Sequence, residues 1–156
     1  MTILETRTLC WPDEAACAAT AGQLAARPGL RRALITLHGP LGAGKTTFAR
    51  HLLRALGVTG PIKSPTYAVV EEYLPPGDGL PLWHFDFYRF SDPQEWEDAG
   101  FREMFASPGL KLCEWPDHAG ELLPRADLAV HISPGEGDTR GLRLEALSPL
   151  GQALLP

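Results

Sequence analysis

Eight consecutive residues, Gly39-Pro40-Leu41-Gly42-Ala43-Gly44-Lys45-Thr46, carry the spacing G-x-x-x-x-G-K-[ST]. That spacing suits one chemical task, wrapping the anionic tail of a nucleoside triphosphate. Glycines let the backbone turn successive N–H groups toward the phosphates and leave no side chain in the way. A helix opening at Lys45 would add its positive end, equivalent to roughly half an elementary charge. The Lys45 ammonium would reach the β- and γ-phosphates, and the Thr46 hydroxyl would be a ligand for Mg2+. Chance produces such a match in on the order of one chain in a hundred of this length, so the surroundings decide. The motif must follow a buried strand and open a helix. The apolar run Ala33-Leu34-Ile35-Thr36-Leu37 precedes it, and Phe48, Leu52, Leu53 and Leu56 share one face of the segment that follows.

A phosphate loop needs an acidic group on a neighbouring strand, to hold Mg2+ or to orient water. Asp86 closes the run Leu82-Trp83-His84-Phe85-Asp86, and Glu114 closes Leu110-Lys111-Leu112-Cys113-Glu114. Carboxylates at the C-terminal ends of buried strands emerge where open α/β sheets bind ligands, and burying one there without a cation would be costly. The pattern leaves open which touches the metal and which handles water. Lys63-Ser64-Pro65-Thr66 follows the loop helix, where a hydroxyl can fold over the γ-phosphate, although Ser-Pro is equally ordinary in a turn before a strand. Two residues flank Asp86. His84 reads as a paired strand histidine, and Arg89 as either an electrostatic helper or an ion-pair partner. Trp11, Trp83, Trp96 and Trp115 read as core or interface residues, and the five histidines show no metal-ligand spacing.

Strands and helices must alternate to bring these groups together. Residues 2–9 read as a strand, and a helix capped by Asp13 runs to about residue 26. The buried strand 33–37 leads into the phosphate loop and a helix over 45–56 that stops at Gly57. Strands are expected at 67–74 and 80–87, as an antiparallel hairpin across the Pro- and Gly-rich turn 75–79. Residues 91–106 read as two short helical pieces broken near Gly100 and opened by Asp92-Pro93. Further strands are expected at 109–114, 127–133 and 139–147, with a short helix at 117–123. The predicted fold is α/β, a single domain over residues 1–150, with a frayed tail at 151–156.

The composition fits that reading. The chain has 156 residues, 14 Lys plus Arg against 19 Asp plus Glu for a net charge of −5, 44% hydrophobic and 21% charged residues. It is too apolar for intrinsic disorder, its apolar runs are too short to span a bilayer, and its acidity argues against a nucleic-acid-coating protein. Residues 1–7 lack a basic-then-apolar secretion pattern. Cys10, Cys17 and Cys113 show no CxxC spacing and read as reduced, mostly buried thiols of a cytoplasmic protein.

The phosphate loop, Ser64-Pro65-Thr66-Tyr67, His84-Phe85-Asp86-Phe87-Tyr88-Arg89 and Glu114-Trp115-Pro116 occur in an order and at separations that resemble the TsaE family, the bacterial ATPases of tRNA threonylcarbamoyladenosine synthesis. The likeness runs over residues 13–147. It implies a P-loop NTPase domain with a partly parallel central sheet, antiparallel flanking strands and helices on both faces. It also implies ATP and Mg2+ as ligands, and weak ATP hydrolysis switched on by partners. The implied partners are the threonylcarbamoyl-transferase subunit and its dimerising paralogue (TsaD and TsaB type), with tRNA reached through that complex. Carried over by position, Thr46 and Glu114 would ligate Mg2+, and Asp86 would orient water or support the metal. Lys45 and the amides of Gly39, Gly42, Ala43, Gly44, Thr46 and Thr47 would hold phosphates. Thr66 would sense the γ-phosphate, Trp115 would lie beside the site, and Trp11, Asp13 and Arg140 would surround the nucleoside. The chain departs from the family in its Pro- and Gly-rich loop 75–79 and its long connection 134–139. The rival readings are a small-molecule kinase on a P-loop fold, for which no Arg-rich lid is visible among the scattered Arg102, Arg125, Arg140 and Arg143, and a non-hydrolysing nucleotide-dependent partner-binding module.

Overall fold

Strand β2 (Leu34–His38) is apolar at most positions because it lies in the middle of the sheet and is covered on both faces. In the computed structural model, which describes residues 2–65 and 68–156, β2 is flanked by β5 (Leu110–Glu114) and β6 (Leu128–Pro134), both parallel to it. Strand β4 (Leu82–Asp86) runs parallel to β5 on its far side. The flanks are antiparallel: β7 (Arg140–Ala146) pairs with β6, β1 (Glu5–Trp11) with β7, and β3 (Val70–Tyr73) with β4. The order across the sheet is β1-β7-β6-β2-β5-β4-β3. The sheet is α/β, as the alternation of elements predicts, and partly parallel, as the family resemblance implies, with the carboxyl ends of β2, β4 and β5 together at one edge.

Helix α1 (Glu14–Ala25) starts where Asp13 Oδ1 accepts the Ala16 N–H at 2.9 Å, and it buries Cys17, Thr20, Ala21 and Leu24 along one stripe. Helix α2 (Lys45–Ala55) ends in a Schellman turn, with Gly57 at φ 99° and N–H bonds from Gly57 to Arg54 O and from Val58 to Leu53 O. Both helices pack on one face of the sheet, over a core that includes Phe48, Leu52, Leu53, Ile35, Leu112 and Val130. The short helices α3 (Pro93–Asp98) and α4 (Phe101–Ala106), hinged at Gly100, close the other face through Phe85, Phe87, Trp96 and Phe101.

Several element ends differ from expectation, each for a local reason. Strand β3 begins only at Val70, because Val69 takes a left-handed backbone at φ 69°; residue 67 of the expected strand lies outside the described residues. Pro81, which has no N–H, delays the start of β4. The expected helix at 117–123 is two 3-10 turns, Pro116–His118 and Gly120–Leu122, separated by Ala119. The tail is not frayed. Residues Pro149–Leu154 form α5, whose N-terminus is capped by Ser148 Oγ accepting the Gly151 N–H at 3.0 Å, and Leu154 and Leu155 are buried in the α1–α2 core. Ser148-Pro149 is the same kind of helix start as Asp92-Pro93.

All three cysteines are free; Cys17 and Cys113 are buried and Cys10 is exposed. Burial pushes the Cys17 thiol up to about 11 and the Cys113 thiol further in the same direction. At the end of β2, the His38 ring stacks on His131 with centroids 4.5 Å apart, and His131 Nε2 lies 2.7 Å from Glu145 Oε1. Burial first, and then the neighbouring His131, bring His38 down to about 4, against the opposing pull of Asp117 and Glu145.

Two expectations follow. A Cβ at Gly151 would stand 1.7 Å from Asp127 O, whereas one at Gly22, exposed on α1, meets nothing within 4 Å. Gly151→Ala should therefore cost about 1–3 kcal/mol in urea unfolding, and Gly22→Ala should add about 0.4–1 kcal/mol. For His38, the unfolded chain takes up a proton below its ordinary value of 6.5 that the folded chain refuses down to about 4. Its contribution to stability is thus whole above that window and is lost as pH falls through it. His38→Gln should shrink the drop in urea midpoint between pH 7 and pH 5; an unchanged drop would show that His38 does not set it.

Candidate functional site

Between β2 and α2 the chain folds into a cup. Gly39 has φ 150°, and a Cβ there would lie 2.5 Å from Ile132 O, so the loop rests directly on β6. Gly42 and Gly44, at φ 80° and 109°, face open space where a side chain would otherwise stand. Gly44 in its left-handed conformation caps α2 without a side chain, which leaves the first-turn N–H groups of the helix available to an anion. Arg140 braces the loop from β7, donating from Nε to Ala43 O at 3.1 Å.

Lys45 lies in the cup floor. Its Nζ donates to Gly39 O and to Pro40 O, the latter at 3.3 Å, and sits 3.8 Å from the centre of the Trp115 ring. Burial lowers the Lys45 pKa from its ordinary value, and the negative charges of Glu114 and Asp86 pull it back up. Those carboxylates come from adjacent parallel strands, in which Asp86 is register partner to Glu114. All three groups are nearly inaccessible, with Lys45 and Asp86 5% and Glu114 2% exposed.

The two carboxylates are held differently. Glu114 accepts the Thr46 hydroxyl at 2.9 Å on Oε1 and 3.1 Å on Oε2, and accepts from His84 Nε2 at 2.6 Å. Asp86 Oδ1 accepts the Tyr88 N–H at 3.0 Å, a local turn that fixes it at the end of β4. The choice that the sequence left open has a geometric counterpart: Thr46 is bonded to Glu114, and Asp86 stands beside the pair.

Two cavities meet at Ala43, Gly44 and Thr47. The one of about 550 Å3 holds Lys45, Thr46, Asp86, Glu114 and Arg89, with Leu41 and Tyr88 at its mouth. The other, about 260 Å3, is walled by Trp11, Asp13, Glu14, Cys17, Asp138 and Arg140. The larger suits a polyphosphate, with donors on the floor and carboxylates along one side; the smaller lies across the loop, where the rest of a nucleotide would extend. For a divalent cation the fit is of the Mg2+ kind. Among the described residues no group of three or more His, Cys, Asp or Glu side chains could hold a metal by itself, and Mg2+ is commonly held by one or two carboxylates together with substrate phosphates. The hydroxyl–carboxylate pair Thr46–Glu114 could serve as such a partial site.

The structure thus gathers Gly39, Gly42, Ala43, Gly44, Lys45, Thr46, Asp86, Arg89, Glu114 and Trp115 around one cup. Trp11, Asp13, Thr47 and Arg140 lie at the second cavity. Trp11 is a wall and not an open stacking platform: it is buried, stacks on Phe48 at 5.6 Å and donates its indole N–H to Thr20 Oγ1. Thr66 lies outside the described residues. Sequence reasoning missed Glu14, Cys17 and Asp138 at the second cavity. Glu14 and Cys17 carry a signal in their helical spacing beside Asp13, and Asp138 carries none. His84, read from the sequence as a paired strand histidine, is paired with Glu114 on the neighbouring strand.

Comparison with known proteins agrees with this geometry. Residues 11–142 match the family described as threonylcarbamoyl adenosine biosynthesis protein TsaE. The chain is 41% identical over 122 residues to the tRNA threonylcarbamoyladenosine biosynthesis protein TsaE of Haemophilus influenzae, covering 78% of this chain and 75% of that protein. It is 39% identical over 137 residues to the protein of the same name from Bacillus subtilis, covering 87% and 82% respectively. The crystal structure of YdiB from Bacillus subtilis superposes with a TM-score of 0.75 at 28% identity, over 99% of this chain and 94% of that one. With its cup, its strand-end carboxylates and these matches over most of its length, the chain belongs to the TsaE family of threonylcarbamoyladenosine biosynthesis proteins.

Proposed function

We propose that the chain binds ATP with Mg2+ in the cup and hydrolyses it, weakly alone and faster with partners. In this reading it is the ATPase subunit of the complex that makes N6-threonylcarbamoyladenosine at position 37 of tRNAs reading ANN codons. It resets the transferase subunit and its dimerising paralogue (TsaD and TsaB type) between rounds and does not carry out the transfer. In this reading tRNA is reached through that complex. The names of the relatives supply the pathway. The observation that carries the chemistry is the Thr46 hydroxyl bonded to Glu114 beside the buried Lys45.

Phosphoryl transfer asks a protein mainly for position and charge stabilisation. Thr46 and Glu114 would hold Mg2+, which would supply positive charge against the negative charge of the phosphates. Lys45, already inside the cup, would exchange its bonds to the Gly39 and Pro40 carbonyls for bonds to the phosphates and add positive charge there. The loop N–H groups would orient the phosphates, and Asp86, whose Oδ1 accepts the Tyr88 N–H, would orient the attacking water. Arg89, on the wall of the same cavity, is the candidate to stabilise the developing charge in cis. Thr66 would report the γ-phosphate. Leu41 and Tyr88 are exposed, 73% and 40%, at the mouth of the cavity, which suits docking of a partner that completes the water-activating geometry.

Phosphate release should be slow for the chain alone and rise when the partner pair is added; equal rates would overturn partner activation. Lys45→Ala should abolish the nucleotide-dependent rise in melting temperature. Asp86→Ala should keep that rise and lose turnover by about 100-fold or more; normal hydrolysis by this variant would remove Asp86 from its role. With labelled ATP, label on an acceptor would point to a kinase, and no release even with partners would point to a non-hydrolysing nucleotide-dependent module.

A further inference from the structure

His84 is the odd residue in β4. Its neighbours Leu82, Trp83 and Phe85 are buried apolar side chains, and His84 itself is 1% exposed. Its Nε2 lies 2.6 Å from Glu114 Oε2. Glu114 also accepts the Thr46 hydroxyl, at 2.9 Å on Oε1 and 3.1 Å on Oε2, so the carboxylate is the acceptor and Nε2 carries the proton and donates. The opposite ring nitrogen, Nδ1, is buried and has no hydrogen-bond partner among the described residues. A buried polar atom left unpaired is a stability cost, and a leucine or valine would fill a strand centre without it. The ring is therefore poorly chosen for packing and well chosen for its single bond to Glu114.

That bond has a directional consequence. A glutamate side chain has three rotatable bonds, and its carboxylate can present either oxygen to a cation. His84 takes Oε2 from behind, from a neighbouring strand whose backbone is locked to β5 by parallel pairing, with Asp86 in register with Glu114. Oε1 then faces the Thr46 hydroxyl at 2.9 Å at the floor of the cup, and the same hydroxyl lies 3.1 Å from Oε2. Resting on the reading of the cup as an ATP and Mg2+ site, we propose that His84 is a positioning residue, whose Nε2–H sets the carboxylate of Glu114 at the angle from which Glu114 and Thr46 together hold Mg2+. Hydrogen-bond partners of metal-binding side chains act in this way in general, and their loss typically weakens metal affinity or activity by about 10–100-fold.

The test uses the full chain and a non-hydrolysable ATP analogue, and reads the melting temperature as Mg2+ is titrated. The shift without Mg2+ reports Lys45 and the loop amides, and the further increment reports the metal. In His84→Leu the metal-free shift should match the wild type, while the Mg2+ concentration giving half the increment should rise about 10-fold or more. His84→Gln, whose amide reaches about as far as Nε2, should return that midpoint to within about 3-fold of the wild type. His84→Asn, polar but too short to reach Glu114, should behave like the leucine variant. It replaces the leucine variant if that one does not fold. Free Mn2+ measured by electron paramagnetic resonance in the presence of the analogue should rank the variants in the same order. A wild-type Mg2+ midpoint in His84→Leu or His84→Asn, or equal defects in the Gln and Asn variants, overturns the positioning role alone. A wild-type chain with no Mg2+ increment overturns the ATP and Mg2+ reading and this proposal with it.

Discussion

The structure depends on giving the Glu114 carboxylate hydrogen-bond partners in a place where water hardly reaches. A carboxylate that is 2% exposed would be several kcal/mol too costly without compensation. The compensation comes from separate elements: the Thr46 hydroxyl at the start of α2, the His84 ring on β4, and the ammonium of Lys45 nearby. None of these is a neighbour of Glu114 in sequence. Satisfying one side chain therefore ties the phosphate loop to two strands and requires β4, β5 and β2 to end at the same level. The parallel registers supply that, pairing Asp86 with Glu114 and Leu37 with Glu114 across β5.

The rest of the fold follows from holding that edge rigid. Parallel strands must be covered on both faces, and two separate cores do this, α1, α2 and α5 on one side and the aromatic cluster under α3 and α4 on the other. The aromatic cluster lies behind β4, where Phe85 packs edge-on to Phe101 and flat on Phe105. It presses on the strand whose opposite face carries His84 and Asp86, since side chains along a strand alternate. The antiparallel flank β6–β7–β1 serves the loop itself: β6 lies under Gly39, and β7 delivers Arg140 to Ala43.

What could be read from the sequence was local. The phosphate loop, its strand and its helix are one continuous stretch, and the two carboxylates are marked by ending apolar runs, so their place at the sheet edge followed from strand polarity alone. Asp13, Gly57 and Gly100 were legible because capping and helix breaking act over a few residues. The attachment of Thr46 to Glu114 instead of Asp86 came from the family resemblance and was not legible in the strand pattern, because it depends on the lateral order of β2, β5 and β4. Both acids end their strands at the same level, and only the order β2-β5-β4 puts Glu114 next to the loop. Helix α5 escaped notice because Gly151 and the chain end suggest fraying, whereas Gly151 is needed for its close contact with Asp127 O, and Leu154 and Leu155 anchor the turn.

The same edge explains Trp115. Its backbone is left-handed, φ 54° and ψ 50°, a conformation that costs a residue other than glycine on the order of 1–3 kcal/mol. Continuing β5 by one residue in the extended form would have carried Trp115 to the face opposite Glu114. The left-handed residue stops the strand at Glu114 and turns the indole back over Lys45, 3.8 Å from Nζ, where Tyr88 packs against it with ring centroids 5.0 Å apart. A cation over an indole face gains about 0.5–2 kcal/mol, more as water is excluded, comparable to the backbone cost. The indole holds the ammonium through its quadrupole and the loop carbonyls hold it through dipoles, so neither neutralises it. Lys45 is thus held at the bottom of the cup by neighbours that leave its ammonium able to pair with a phosphate.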